Sequence, residues 1–174
     1  MTAPFQIRPC GPQHLELLLA IEQEALACLE RPDLLRRNSQ EMWEACLRPP
    51  HVCIGAWKDN TLAGFAVLFV PQPGDSEDLA ASLTSKDCTG LRSANFKICI
   101  VRPLWRGHGL QVLLGTRLEE EARQQGFDLL CATASPHNPA SIKSLEHLGY
   151  HQDHLLTKYG FERILFYKRL AVSR

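Results

Sequence analysis

The chain has 174 residues, of which 45% are hydrophobic and 22% are charged. This length is sufficient for a hydrophobic core, and we expect one domain over residues 1–174. The 19 basic residues balance the 19 acidic ones, so the charge favours neither nucleic acid nor an anionic membrane as a partner. Neither a signal-peptide pattern nor an apolar run of about 20 residues occurs, and no membrane partner is expected.

The seven cysteines are odd in number and scattered, and the sequence contains no Cys-x-x-Cys pair. Several lie in apolar stretches such as HVCIGAW and FKICIV, where a free thiol behaves as a small buried hydrophobe. This pattern indicates reduced cysteines in a cytoplasmic protein rather than a disulfide framework or a structural zinc site.

The first half of the chain predicts strands around a pair of helices. In chain order these are a strand at Phe5–Arg8, a helix from Gln13 that Pro32 breaks, a second helical stripe between Leu35 and Leu47, and strands at Val52–Trp57 and Leu62–Val70. Asp59-Asn60 tolerates left-handed backbone angles, so the last two strands should form a tight hairpin. The connection 71–93 is long and shows only weak hydrophobic periodicity. Such connections are more often functional or mobile than simple linkers.

The second half alternates strands and helices. It predicts a strand at Phe96–Val101, an amphipathic helix from Gly109 to Gly126, a buried strand at Asp128–Ala134, a helix from Asn138 to Gly149, and a last strand at Arg163–Lys168. A strand–helix–strand unit with a short crossover favours parallel neighbours. We therefore expect an α/β (α+β) fold, with a mixed central sheet, a parallel pair at its centre and helices on both faces.

The junction between Phe96–Val101 and the next helix carries the most specific chemical signal. The segment Arg106–Gly109 reads RGHG, and its two glycines let backbone amides approach a ligand without an intervening Cβ. The unpaired amides of a helix's first turn suit a phosphate, and Arg106 and His108 add positive charge. The RGHG segment matches neither the Walker phosphate loop nor the three-glycine dinucleotide fingerprint. A turn that needs glycine only for its geometry is the alternative.

The segment VRPLWRGHGL, Val101–Leu110, resembles the V-x-P-x-[aromatic]-R-G-x-G-[aliphatic] signature of the GNAT acetyltransferase superfamily. The later segment DLLCATASPHNPASIKSLEHLGY resembles the strand, the Asn-x-x-[Ala/Ser] helix start and the Leu-Gly-[aromatic] ending of the same family. The resemblance implies a GNAT-like domain that moves the acetyl group of acetyl-CoA to the amine of a small molecule or peptide, without a metal.

The resemblance also implies a cofactor site, residue by residue. The pyrophosphate of CoA would meet the loop and helix start, the pantetheine arm would meet the strand backbone, and two residues of the last helix would lie beside the arm. These three groups are Arg106, Gly107, His108, Gly109, Leu110 and Gln111; Cys99, Ile100 and Val101; and Asn138 and Ser141.

Two positions depart from the family pattern. Gln111 stands where glycine or alanine is usual, and Leu145 stands where many members carry a tyrosine acid. The second departure leaves a non-catalytic CoA sensor or partner-binding module as an alternative. A nucleotide-phosphate binder with no acyl chemistry is a separate, weaker alternative. A homodimer is among the open oligomeric states.

Three residues are candidates for acid–base roles. Glu22 and Glu24 lie on the first long helix, near the acceptor cleft that the resemblance implies, and either is a candidate base, although solvated helix acids are the simpler interpretation. Tyr159 is a candidate substitute acid or acceptor-site residue, with a structural role as the alternative. His147, His151 and His154 have zinc-like spacing, but Gly149 interrupts their helix and no metal site is expected.

Overall fold

A computed structural model of the chain describes residues 4–171. The strands are β1 (Gln6–Cys10), β2 (Val52–Lys58), β3 (Thr61–Phe69), β4 (Ser93–Val101), β5 (Leu129–Ala134), β6 (His151–Lys158) and β7 (Phe161–Arg169). The α-helices are α1 (Leu15–Ala27), α2 (Gln40–Cys46), α3 (Leu110–Gln124) and α4 (Pro139–His147).

The strands form one sheet in the order β1-β2-β3-β4-β5-β7-β6. The central β4 and β5 are parallel, and the other neighbours are antiparallel. The sheet is therefore mixed with a parallel pair at its centre, as the sequence predicted. Within residues 4–171 no helix is long and apolar enough to cross a membrane.

Helices cover both faces of the sheet, and each face has its own core. Leu114 and Leu118 of α3 pack with Leu145 of α4 on one face, whereas Leu18 of α1 and Trp43 of α2 pack on the other. All five side chains are at most 2% exposed, and full burial of such a residue is worth about 1.5–3 kcal/mol. The predicted two-sided helix packing is confirmed.

Two sequence-based assignments were wrong. The strand β6 was not predicted, because it is an edge strand that pairs only with β7 and alternates between exposed and half-buried side chains instead of showing an apolar run. The second helix is shorter than its apolar stripe suggested. It begins only at Gln40, where the hydroxyl of Ser39 caps it by accepting a hydrogen bond from the amide of Met42 at 3.2 Å.

A bulge in β4 opens the centre of the sheet. Val67 pairs with Ile98 and Leu68 pairs with Phe96, so Lys97 is an extra residue with no partner on β3. The bulge changes which face the following side chains meet: Phe96 joins the α3 core, whereas Ile98 joins the α1 core. Pairing with β5 ends at Asn95, just before the bulge, so the rest of β4 has a free edge.

Candidate active site

A cleft of about 120 Å³ lies where β4 and β5 separate. Its walls come from the bulged half of β4, the end of β5, the facing helices α3 and α4, the region around the β6–β7 turn, and the segment 34–38. The lining residues include Lys97, Cys99, Gln111, Thr133, Asn138, Ser141, Leu145, Tyr159 and Arg163. The cleft thus brings together four predicted cofactor residues and one predicted catalytic residue.

The glycine loop lies between the end of β4 and the start of α3. Gly107 and Gly109 have φ angles of 79° and 70°, and Gly109 directly precedes the first residue of α3. A Cβ on either would meet nothing within 4 Å, so the left-handed backbone, not crowding, is what requires glycine. Arg106 is exposed, whereas the exposed His108 turns Nδ1 towards the carbonyl oxygens of Trp105 and Arg106, at 3.1 and 3.0 Å.

The facing ends of α3 and α4 touch across the cleft. Asn138 caps α4, its Oδ1 accepting a hydrogen bond from the amide of Ser141 at 3.1 Å, as the sequence predicted. Nε2 of Gln111 donates to the hydroxyl of Ser141 at 3.3 Å. The side chain of Gln111 therefore points into the cleft, and it narrows the space that a glycine or alanine would leave open.

Glu22 is not a solvated acid, and that interpretation was wrong. It is 2% exposed, because it lies on the inward face of α1. Its Oε1 accepts hydrogen bonds from the backbone and side-chain amides of Asn38 at 3.1 and 3.3 Å, and its Oε2 accepts one from the indole of Trp43 at 2.9 Å. These bonds tie α1 to the start of α2, and Glu22 is not among the residues that line the cleft.

Glu24 lies outside the cleft as well. Its carboxylate pairs with Nε of Arg102 at 2.8 Å, and both side chains are about a third exposed. Since Arg102 directly follows β4, this ion pair connects α1 to the base of the glycine loop. Glu24 therefore supports the position of the glycine loop.

Tyr159 is the one predicted acid–base candidate that lines the cleft. It lies in the β6–β7 turn with a φ of 58°, and its hydroxyl donates to Oε2 of Glu77 at 3.0 Å. The guanidinium of Arg36 lies 3.7 Å from the centre of its ring. Burial, together with the charge of Glu77, raises the pKa of Tyr159 far above its usual value, so the phenol keeps its proton at neutral pH.

Three further residues belong to this site and were not predicted from the sequence: Arg36, Glu77 and Lys97. The carboxylate of Glu77 accepts hydrogen bonds from Arg36 at 2.8 Å and from the ammonium of Lys97, whose side chain is 4% exposed. Burial alone would raise the pKa of Glu77, but the two cations outweigh it and hold that pKa below its usual value. A lysine inside the apolar run FKICIV was the available signal.

A second cavity, which is a groove, adjoins the cleft. It measures about 690 Å³ and is lined by Leu26, Leu29, Glu30, Arg31, Pro32, Leu35, Arg36, Arg37, Tyr159 and Phe161. Leu35, Arg36 and Tyr159 line both cavities, so the groove and the cleft share a wall.

Hydrogen bonds hold the turn at Pro32–Leu34 in place beside both cavities. The carboxylate of Asp33 accepts a hydrogen bond from the hydroxyl of Ser135 at 2.6 Å, and its backbone oxygen accepts one from Arg163 at 2.9 Å. The hydrogen bonds from Ser135 and Arg31 lower the pKa of Asp33 to about 2. This segment therefore crosses from α1 to the ends of β5 and β7.

Comparison with known proteins agrees with this geometry. Residues 18–150 match the model of the acetyltransferase (GNAT) family. The structure of YncA from Salmonella typhimurium with its cofactor acetyl-CoA is similar, with a TM-score of 0.72, 17% identity, and coverage of 97% of this chain and 95% of that one. A ribosomal-protein-alanine N-acetyltransferase from Brucella melitensis also has a TM-score of 0.72, with 22% identity and coverage of 95% and 99%. A comparison with curated proteins finds no match.

The chain belongs to the acetyltransferase (GNAT) family. It is an acyltransferase that depends on acetyl-CoA, which confirms the prediction made from its two motifs. The structure fits this cosubstrate in two respects: β4 has a free edge along the cleft, and the glycine loop leaves open space above its backbone.

Proposed function

We propose that the protein transfers the acetyl group of acetyl-CoA to a primary amine of a small molecule or peptide. The observation that carries this proposal is the junction of the two cavities at Tyr159. The cleft offers a free strand edge for the cofactor, and Gln111 of its lining lies two residues after Gly109 of the glycine loop. The groove, which is the acceptor groove of this proposal, offers an adjoining space for the amine. The two substrates would then meet beside a protonated phenol.

The loop and the cleft would hold opposite ends of the cofactor. Amides of the segment Arg106–Gln111, at the positive end of the α3 dipole, would bind the pyrophosphate, with Arg106 as a cation. The free edge of Cys99–Val101 would bind the pantetheine arm, with Asn138 and Ser141 beside it. Bound there, acetyl-CoA supplies a thioester whose carbonyl carbon accepts the amine and whose sulfur leaves as a thiolate.

Tyr159 would act as the acid at that sulfur, and the proton that the attacking amine loses would restore the phenol. Leu145 provides no donor on α4, whereas the phenol of Tyr159 lines the same cleft and keeps its proton at neutral pH. Arg36 would position the phenol, since it covers the ring, and the O–H that donates to Glu77 in the free protein would turn to the sulfur for the proton transfer. A positioned acid or base typically contributes about 10²–10⁴-fold to a rate.

Thiol release tests the proposal directly. The protein is mixed with acetyl-CoA and each of a panel of primary amines, and free CoA is measured over time. We expect amine-dependent release, with the acetylated amine recovered by mass spectrometry. Saturable binding of acetyl-CoA without amine-dependent release for any amine would contradict the proposal and favour a CoA-binding sensor.

A further inference from the structure

The acceptor groove combines an apolar wall with an excess of guanidinium groups. Leu26, Leu29, Leu35 and Phe161 provide the apolar surface. Three arginines line the groove, Arg31, Arg36 and Arg37, whereas Glu30 is its one lining carboxylate among residues 4–171. The side chains that line the groove therefore include more cations than anions, although the whole chain is neutral.

The three arginines differ in how far they are already paired. Arg31 pairs with Asp33 and Arg36 pairs with Glu77, each at 2.8 Å. Arg37 makes no ion pair or side-chain hydrogen bond with any residue in the described range 4–171. An arginine of the groove is thus available to an anion from solution.

Arg36 connects this charge to the reaction site. It lines both cavities, and its stacking on the ring of Tyr159 holds the guanidinium plane in place. Only Nη1 of Arg36 donates a hydrogen bond to Glu77, so the other N–H groups of the planar guanidinium can bind a carboxylate. Arg37, the next residue in the chain, lines the same groove.

We propose that the acceptor is a small amine that carries a carboxylate and an apolar body, with Arg36 and Arg37 binding the carboxylate. This inference rests on the proposed acetyl transfer to an amine. A groove of about 690 Å³ has the size typical of small-molecule sites, and its leucine and phenylalanine wall matches an apolar body. A polyamine carries no carboxylate for these arginines to bind, and the unpaired Arg37 would repel it.

Matched acceptors test the carboxylate. Leucine, leucinamide and 3-methylbutylamine form one series, phenylalanine, phenylalaninamide and phenethylamine a second, and 6-aminohexanoate with hexylamine a third, in which the carboxylate lies farther from the amine. Spermidine is added as a polycation. In at least one series, we expect the carboxylate to give a kcat/KM for thiol release about tenfold or more above its uncharged partners. Spermidine should be poorer still.

The outcomes separate this inference from the proposed function. Equal or better turnover of the uncharged amines in every series would overturn the inference and leave acetyl transfer intact. Absence of thiol release with every amine would overturn the proposed function and the inference with it.

A pair of variants tests the residues. Arg37→Gln should raise the KM for the preferred carboxylate about tenfold and abolish its advantage over the uncharged partner, while the KM for acetyl-CoA stays unchanged. Arg169→Gln is the matched control, since Arg169 is exposed and lies about 26 Å along β7 from Phe161 of the groove. An equal loss in both variants, or none in Arg37→Gln, would overturn the assignment.

Discussion

The phenol of Tyr159 donates a hydrogen bond to the carboxylate of Glu77 over 3.0 Å, across 82 positions of the chain. Glu77 lies in the connection between β3 and β4, and Tyr159 lies in the turn between β6 and β7. The same carboxylate accepts hydrogen bonds from Arg36 and from Lys97 in the bulge of β4. Four segments that are distant in sequence are thereby joined where the cleft meets the acceptor groove.

Replacement of Tyr159 by phenylalanine should separate catalysis from binding. The ring can still stack under Arg36, but the proton at the hydroxyl is lost, so kcat should fall about 100-fold. The KM for acetyl-CoA should change little. Steady-state thiol release measures both kinetic constants.

The control for that experiment is Tyr167→Phe. Tyr167 lies on β7 beside His151 and does not line the cleft. Its removal should leave kcat within about twofold of the wild type. A kcat for Tyr159→Phe that equals this control would assign Tyr159 a purely structural role.

The buried ion pair between Glu77 and Lys97 should be costly to break from one side. Glu77→Gln leaves the ammonium of Lys97, 4% exposed, without its counter-charge, and we expect a loss of about 3 kcal/mol in the free energy of unfolding. The double variant Glu77→Gln/Lys97→Met should recover most of that loss, because the unpaired charge is gone. Urea denaturation measures both, and additive losses in the double variant would refute the coupling.

Gly109→Ala should weaken acetyl-CoA binding tenfold or more, as measured by isothermal titration. The φ of 70° imposes a strain of about 1–2 kcal/mol on alanine, and the new Cβ stands where the cofactor would approach the loop. Gly90→Ala is the control, because Gly90 has a φ of 76° and equally open space but lies at the other end of β4. Equal affinity in the two variants would show that strain alone acts.

The side chain of Gln111 should oppose entry of the cofactor. Its hydrogen bond to Ser141 crosses the cleft and must break when the cleft is filled, so Gln111→Ala should raise the affinity for acetyl-CoA about two- to tenfold. Gln124→Ala, on the exposed end of the same helix, should leave the affinity unchanged. A lower affinity in Gln111→Ala would mean that this side chain binds the cofactor directly.

Acid should remove the contribution of Asp33 to stability. Its pKa in the folded protein, about 2, lies below the usual 3.8, so the stabilisation is fully present above pH 4 and disappears as the pH falls towards 2. Asp33→Asn should therefore be less stable than the wild type at pH 7, with a difference that shrinks below pH 4. Unfolding curves at pH 7 and below pH 4 test this. A difference in the free energy of unfolding that stays constant between them would show that the charge of Asp33 does not contribute.

Much of the cofactor half of the site could be predicted because its signals are local. Gly107 and Gly109 meet a backbone requirement at their own positions, and Asn138 caps α4 through the amide of Ser141, three residues further along the chain. The acceptor half could not be predicted in this way. Glu22 has the same residue type as Glu77, and only the packing of α1 shows that Glu22 is bonded to Asn38 and Trp43 instead of facing a substrate.

The sequence by itself determined the family, the central strand–helix order and the glycine loop of Val101–Gln111, because each is encoded within a short stretch of chain. Only the tertiary structure decided that Lys97 bulges out of β4, that Glu77 and Tyr159 meet, and that three arginines gather in one groove. Such contacts join segments up to 130 positions apart, as the hydrogen bond from Arg163 to Asp33 shows. They depend on strand register and burial across the whole sheet, which no local pattern of residues specifies.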